Sequence, residues 1–351
     1  MKKIITKVLL CATLTVATLG LFSCNKTDDK TLYLYNWTYY TPESVIKQFE
    51  EEFNCTVKVD SYASNEEMYA KLRAGAKGYD IVVPSQDYAS IMISQGMLRE
   101  IDHSKLTNKN NINPAVLTKA TYDPEMKFCV PYYMGVAGIA VNKTKVTSNN
   151  YSRSWNIFAD KQFAGHATMM DDMREVIGDA LVSLGKSVNS TNEEDLQAAK
   201  KLILEEWKPN LVKFDAESFG KSFAAGDFWL CQGYAEVVFG EVPEEKWDET
   251  IDFFIPTEGG PSYLDSMCIL KDAPNYELAN EFINFIHRPE IYAKFLDEFH
   301  FPCFVNPAAE KFVTTKPMYK ATEMLSSELK NDLGEDLDKY NEIWQEIRFS
   351  E

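Results

Sequence analysis

Across 351 residues the chain carries 36 Lys+Arg against 53 Asp+Glu, a formal net charge of −17 at pH 7, with 45% hydrophobic and 13% aromatic residues. That apolar content excludes a disordered chain, and so acidic a surface repels nucleic acid and attracts cations, although excess acid also serves solubility alone. A folded body of roughly 320 residues points to two lobes rather than one core.

Lys2, Lys3 and Lys7 precede an apolar stretch from Val8 to Phe22. It is short for a membrane span and ends in small and apolar residues before a cysteine, the pattern of a secretory signal over 1–23. Leu21-Phe22-Ser23-Cys24 resembles a bacterial lipobox, with Phe22 bulkier than usual. The resemblance implies cleavage before Cys24, lipidation of Cys24 as a membrane anchor, and a polar tether over 24–30. A plain secretory signal that leaves Cys24 unmodified is the alternative.

The body opens with β-forming residues from Thr31 to Trp37. Thr41 then offers a helix cap, with Pro42 at the first helical position and Val45, Phe49 and Phe53 on one apolar stripe. Val57 and Val59 mark a second strand, and Ser64 with Glu67 forms a capping box before Met68 and Leu72. Ile81-Val82-Val83 is a continuous apolar run, as in a strand buried on both faces. The pattern resumes with a strand over 167–170 and a helix opened by Asp171-Asp172. Helices are predicted over 279–286 and 291–299, and a largely helical stretch over 321–347. This alternation predicts an α/β fold of two lobes, each an open, mainly parallel sheet flanked by helices. In such sheets ligands sit at the carboxyl ends of strands, where Trp37, Ser85 and Asp172 fall.

Dinucleotide, Walker-A, nucleophile-elbow and HExxH signatures are missing from the sequence. His103, His166, His287 and His300 lack metal-ligand spacing. Cys55, Cys129, Cys231, Cys268 and Cys303 are odd in number and form no CxxC pair, so any disulfide is unassigned. These features point to binding rather than catalysis, with no cofactor and no metal.

Six segments, in order, resemble the bacterial spermidine/putrescine-binding proteins of ABC importers. They are Tyr35-Asn36-Trp37-Thr38, the run from Ser64 to Leu72, Tyr79 to Ser85, Val130-Pro131-Tyr132 through Asn142, Asp171 to Val176, and Glu258-Gly259-Gly260 to Asp265-Ser266. The resemblance runs from about Thr31 to the C-terminus. It implies the type II periplasmic-binding-protein fold, with lobe 1 over 31–133 plus about 262–306, and lobe 2 over 134–261 plus about 307–351. Hinge strands near Tyr133 join lobes that close over ligand. It also implies ABC permease partners, a monomer, and an anchored protein on the periplasmic face or cell surface.

A polyamine needs carboxylates at its ammonium groups and aromatic faces along its apolar chain. The resemblance assigns Trp37 and Tyr40 to an aromatic wall and Thr38 to the ligand site beside them; Ser85, at a strand end, is the expected hydrogen-bond partner and Tyr88 a further wall. Asp172 and Glu175 are three apart on one helical face, and Asp-x-x-Glu is equally a capping pattern. Tyr263 and Asp265 share a strand face and match the family's central aromatic and acid. Several positions depart from the family. Tyr39 stands for an acid, Asp87 for an aromatic, Cys231 near a tryptophan, Phe301 for a tyrosine, and Lys330 near a neutral polar residue, where a lysine facing the cleft would repel a polyamine. Putrescine against spermidine therefore stays open. So do a same-fold receptor for another cationic solute or a metal, and a surface lipoprotein without transport.

Overall fold

A computed structural model describes residues 30–148 and 150–350; the signal segment and Cys24 lie outside them. The chain first lays down β1 (Thr31–Trp37), α1 (Glu43–Phe53), β2 (Thr56–Tyr62), α2 (Asn65–Arg73), β3 (Ile81–Val82), α3 (Gln86–Ser94), β4 (Leu98–Arg99), α4 (Pro114–Lys119) and β5 (Cys129–Val136). It then crosses at Ala137 into β6 (Gly138–Asn142), β7 (Ala167–Met169), α5 (Met173–Ser183), α6 (Glu193–Leu202), β8 (Leu211–Phe214), α7 (Phe219–Ala225), β9 (Leu230–Gly233), α8 (Ala235–Phe239), α9 (Trp247–Thr250) and β10 (Ile251–Phe254). It returns through β11 (Pro261–Leu270), α10 (Tyr276–Ile286), α11 (Pro289–Phe299) and β12 (Glu328–Leu329), and ends in α12 (Leu337–Phe349).

Two sheets result. The first runs β12-β11-β3-β1-β2, with β4 and β5 also paired to β11; the second runs β10-β6-β9-β7-β8. β1 pairs parallel with β2 and β3, and β7 with β8 and β9, while β11, β6 and β10 join antiparallel. Each parallel core thus carries antiparallel strands, and β11 also pairs parallel with β12. The chain passes between the sheets at Ala137, over 255–260 and over 330–336.

Local sequence explains the elements near the cleft. Ser64 Oγ accepts from Glu67 N at 3.1 Å, and Glu67 Oε2 from Ala63 N at 2.9 Å, closing the start of α2. Val45 and Phe49 bury the inner face of α1, where Phe49 meets Phe53 and Phe282 at 4.4 and 4.9 Å. Each such side chain stabilises the fold by about 1.5–3 kcal/mol. Thr41 does not cap α1. Pro42 holds that position, and Thr41 Oγ1 instead accepts from Asn36 Nδ2 at 3.0 Å, stiffening the β1–α1 turn.

The C-terminal stretch departs from the helical expectation. Ala321–Met324 is one 3-10 turn, β12 follows, and α12 begins only at Leu337, after Gly334 at φ 53°. β12 pairs with Pro261–Ser262 of the first sheet, whereas α12 packs on α5 and α6. The tail expected wholly on lobe 2 therefore touches both lobes.

Candidate ligand-binding cleft

A cavity of about 480 Å³ opens between the two sheets. Its first-lobe wall is built at strand ends. Trp37 closes β1, its Nε1 donating to Val83 O at 2.9 Å and its ring tilted on Tyr62 at 4.8 Å. Thr38 and Tyr39 follow on the exposed turn, Tyr39 at φ 55°. Tyr40 then turns inward, edge-on to Tyr132 at 5.3 Å.

Asp265 is the centre of this wall. It is 4% exposed, and its two oxygens accept from Ser85 Oγ at 2.6 Å and Tyr40 OH at 2.7 Å. Burial pushes its carboxyl up to about 6, against the pull of these two donors. Ser85 is itself held by Asn65, which donates Nδ2 to Ser85 Oγ at 3.0 Å and accepts from Ser85 N at 3.1 Å. Gln86 accepts from Leu264 N at 2.8 Å and donates to Lys330 O at 2.6 Å, tying α3 to β11 and the tail. Asp87 also faces the cavity, and burial raises its carboxyl.

The aromatic wall continues through Tyr263, edge-on to Tyr234 at 5.6 Å, and Phe301, stacked on Tyr133 at 4.0 Å. From the second lobe come Tyr234 and Glu236, at the start of α8. Glu236 reaches solvent within the cleft, yet the surrounding protein pushes its carboxyl up to about 7, Asp265 adding to the effect. Glu175 is fully buried beside the cavity. Its Oε1 takes Tyr234 OH at 2.9 Å and an ion pair with Lys330 Nζ. Burial opposes the charge on Lys330, but Glu175, Asp172 and Asp87 outweigh it and hold the ammonium pKa above its ordinary value.

The structure thus places Trp37, Thr38, Tyr39, Tyr40, Ser85, Asp87, Tyr263, Asp265, Phe301 and Lys330 on one cavity. Four expected contacts do not line it: Glu175 is fully buried and paired with Lys330, and the other three fall elsewhere. Tyr88 turns its hydroxyl to Glu66 at 3.1 Å and its ring edge to Tyr69 at 5.6 Å. Cys231 lies inside β9 at 0% exposure, paired with Ala140 and Thr168 in the second sheet. Asp172 is committed to the α5 cap, its Oδ1 accepting from Arg174 N at 2.9 Å and Glu175 N at 3.0 Å. Asn65, Gln86, Tyr234, Glu236 and Phe299 line the cavity without having been singled out. Gly233-Tyr234-Ala235-Glu236 carries a usable signal, a polar pair just past a short apolar strand.

Chemically, this is an aromatic slot with Asp87, Asp265 and Glu236 on its walls; Lys330, the one cation lining it among the described residues, is paired with Glu175. Such an arrangement accommodates an organic cation, since a buried acid gains most from an ammonium that it can hydrogen-bond.

Residues 44–324 match the model of the bacterial extracellular solute-binding proteins. The chain is 34% identical over 341 residues to the spermidine/putrescine-binding periplasmic protein of Escherichia coli, covering 94% of this chain and 95% of that one. It is 33% identical over 281 residues to a putrescine/cadaverine-binding protein of Pseudomonas aeruginosa, covering 78% and 79%. The TpPotD lipoprotein of Treponema pallidum superposes with a TM-score of 0.85 at 50% identity, over 92% of this chain and 100% of that one. With two α/β lobes, a cleft between them and these likenesses, the chain belongs to the bacterial extracellular solute-binding proteins of type II fold and, within them, to the spermidine/putrescine-binding class.

Proposed function

We propose that this protein is the extracytoplasmic receptor of an ABC importer for polyamines, binding its ligand between the lobes and passing it to the permease. The observation that carries the reading is Asp265. It is a buried carboxylate that meets neutral hydroxyls from Ser85 and Tyr40 but forms no ion pair among the described residues. A ligand ammonium supplies the missing charge, and Trp37, Tyr40, Tyr263 and Tyr234 flank the methylene chain. In this reading Asp265 is the main amine contact, with Asp87 and Glu236 receiving a second ammonium. The cleft binds without chemistry and without a cofactor.

A thermal-shift and calorimetric screen tests the assignment, using putrescine, cadaverine and spermidine against amino acids, anions and divalent metals. Selective stabilisation by the amines supports it. Response to a metal or to a non-cationic solute alone would replace it, and response to nothing would favour a surface lipoprotein without transport.

The leader and the likeness to a named lipoprotein support a protein held at the membrane through a lipid on Cys24. Cys24→Ala should then move the protein into the aqueous phase of a detergent partition. Unchanged partitioning would reject the anchor.

A further inference from the structure

Glu175 sits at 0% exposure on α5, and the cation that reaches it belongs to the protein itself. Lys330 follows β12 and is held at both its backbone N–H and its backbone carbonyl. Its N donates to Ser262 O at 3.0 Å, and its O accepts from Gln86 Nε2 at 2.6 Å. From there the side chain runs along the cavity wall, 16% exposed, to the Glu175 carboxylate. Four methylenes ending in an ammonium reproduce a four-carbon diamine less its second ammonium. The protein thus presents its own alkylammonium at one end of an amine-binding slot.

We propose that Lys330 is a specificity-determining residue: its ammonium occupies the Glu175 end of the cleft, so that the site takes a dicationic diamine and disfavours a tricationic polyamine. The inference rests on the polyamine reading above. A third ligand ammonium would have to dislodge Lys330 from a buried carboxylate or lie beside it with like charge, and both are costly. Asp265, Asp87 and Glu236 remain for the ligand, none of them ion-paired among the described residues.

Calorimetric titration of the parent, Lys330→Gln and Lys330→Met with putrescine and spermidine tests this, with circular dichroism as the folding control. The parent should favour putrescine by at least about tenfold, and both variants should shift the ratio toward spermidine by about tenfold or more. A parent that binds spermidine as tightly as putrescine overturns the inference. So does an unchanged ratio in the folded variants, which would leave Lys330 a latch between tail and α5. Binding of neither amine by any of the three proteins removes the polyamine reading, and the inference with it.

A second observation stands apart from the cleft. Cys129 on β5 and Cys268 on β11 are direct antiparallel partners with their Sγ atoms 3.2 Å apart, both buried. Cα atoms of such partners lie about 4.5–5.5 Å apart, inside the range a disulfide needs. We infer that this pair forms a cross-strand disulfide in the extracytoplasmic compartment. Two S–H bonds break and one S–S bond forms. Two electrons and two protons pass to the disulfide of an extracytoplasmic thiol oxidoreductase during folding. Alkylation of exported protein under denaturing, non-reducing conditions should label Cys55, Cys231 and Cys303 only, with Cys129 and Cys268 recovered as one linked peptide pair. Full labelling of Cys129 and Cys268 would overturn the inference.

Discussion

Asp265 on β11 and Ser85 at the head of α3, 180 positions apart in sequence, meet through a 2.6 Å hydrogen bond across an isolated antiparallel bridge. The bridge sets the carboxylate at the cavity wall, and Tyr40 OH fixes its other oxygen at 2.7 Å. Removing that charge leaves a ligand ammonium buried without a partner, a loss of about 2–5 kcal/mol. Asp265→Asn should therefore lower polyamine affinity by roughly thirty- to several-thousand-fold with the fold intact. Calorimetry on the folded variant decides the point, and unchanged affinity would remove Asp265 from the site.

Affinity should also fall in acid. The Asp265 carboxyl titrates near 6 and Glu236 near 7, both raised by the enclosing protein. An ammonium binds the ionised forms, so a proton must leave first below those values. Without ligand the folded state holds these protons more tightly than the unfolded chain, whose carboxyls titrate near ~4. These groups therefore lower the stability of the ligand-free fold as pH rises from about 4 toward 6 and 7, and a bound ammonium offsets that cost. The gain in Tm with saturating putrescine should be larger at pH 7.5 than at pH 5. An equal or larger gain at pH 5 contradicts this account.

Two glycines beside the cleft separate binding from stability. A Cβ on Gly135 would lie 2.3 Å from the Tyr263 hydroxyl, whereas one on Gly138 would lie 2.7 Å from Phe254 O. The first obstacle is the outer edge of a single cleft ring, Tyr263; the second joins the Phe253 ring at 2.6 Å and Ile255 at 2.7 Å to that backbone oxygen. Gly135→Ala should displace the Tyr263 wall and weaken amine binding by about tenfold, with little change in Tm. Gly138→Ala should cost about 1–3 kcal/mol of stability. Denaturant unfolding and titration of both variants check the contrast, and the reverse pattern would refute it.

Local chemistry made part of this legible. β1 spans the run of β-formers from Thr31 to Trp37, and the Ser64–Glu67 box opens α2 where the residues indicate. Trp37 and Tyr40 were readable as cleft residues from the β1–α1 junction and the family resemblance, and Asp265 from that resemblance and its strand face shared with Tyr263. Glu236 and Asn65 were not, since each reaches the cavity only through pairings distant in sequence. Cys231 shows the limit most clearly. It lies in the right strand, but the pleat turns it into the second sheet, and Tyr234, just beyond the strand end, faces the cleft instead. The strand at Glu328–Leu329 is two residues long and held by Pro261–Ser262, so helical periodicity around it could not reveal it. The ion pair of Lys330 with Glu175 follows from that same placement.

The cleft acids divide between the lobes, and this predicts closure. Asp265 and Asp87 stand on first-lobe elements, while Glu236 heads α8 on the second. A diamine whose ends meet Asp265 and Glu236 gains from both only when the lobes approach, so binding energy is directed into hinge motion. The three crossings, at Ala137, 255–260 and 330–336, are where the backbone would bend. Saturating putrescine should reduce the radius of gyration in X-ray scattering. Glu236→Gln should retain first-lobe contacts, bind about tenfold more weakly, and close less at saturation. Identical scattering curves with and without ligand in the parent would mean a rigid cleft, and full closure in Glu236→Gln would mean that Glu236 does not draw the lobes together.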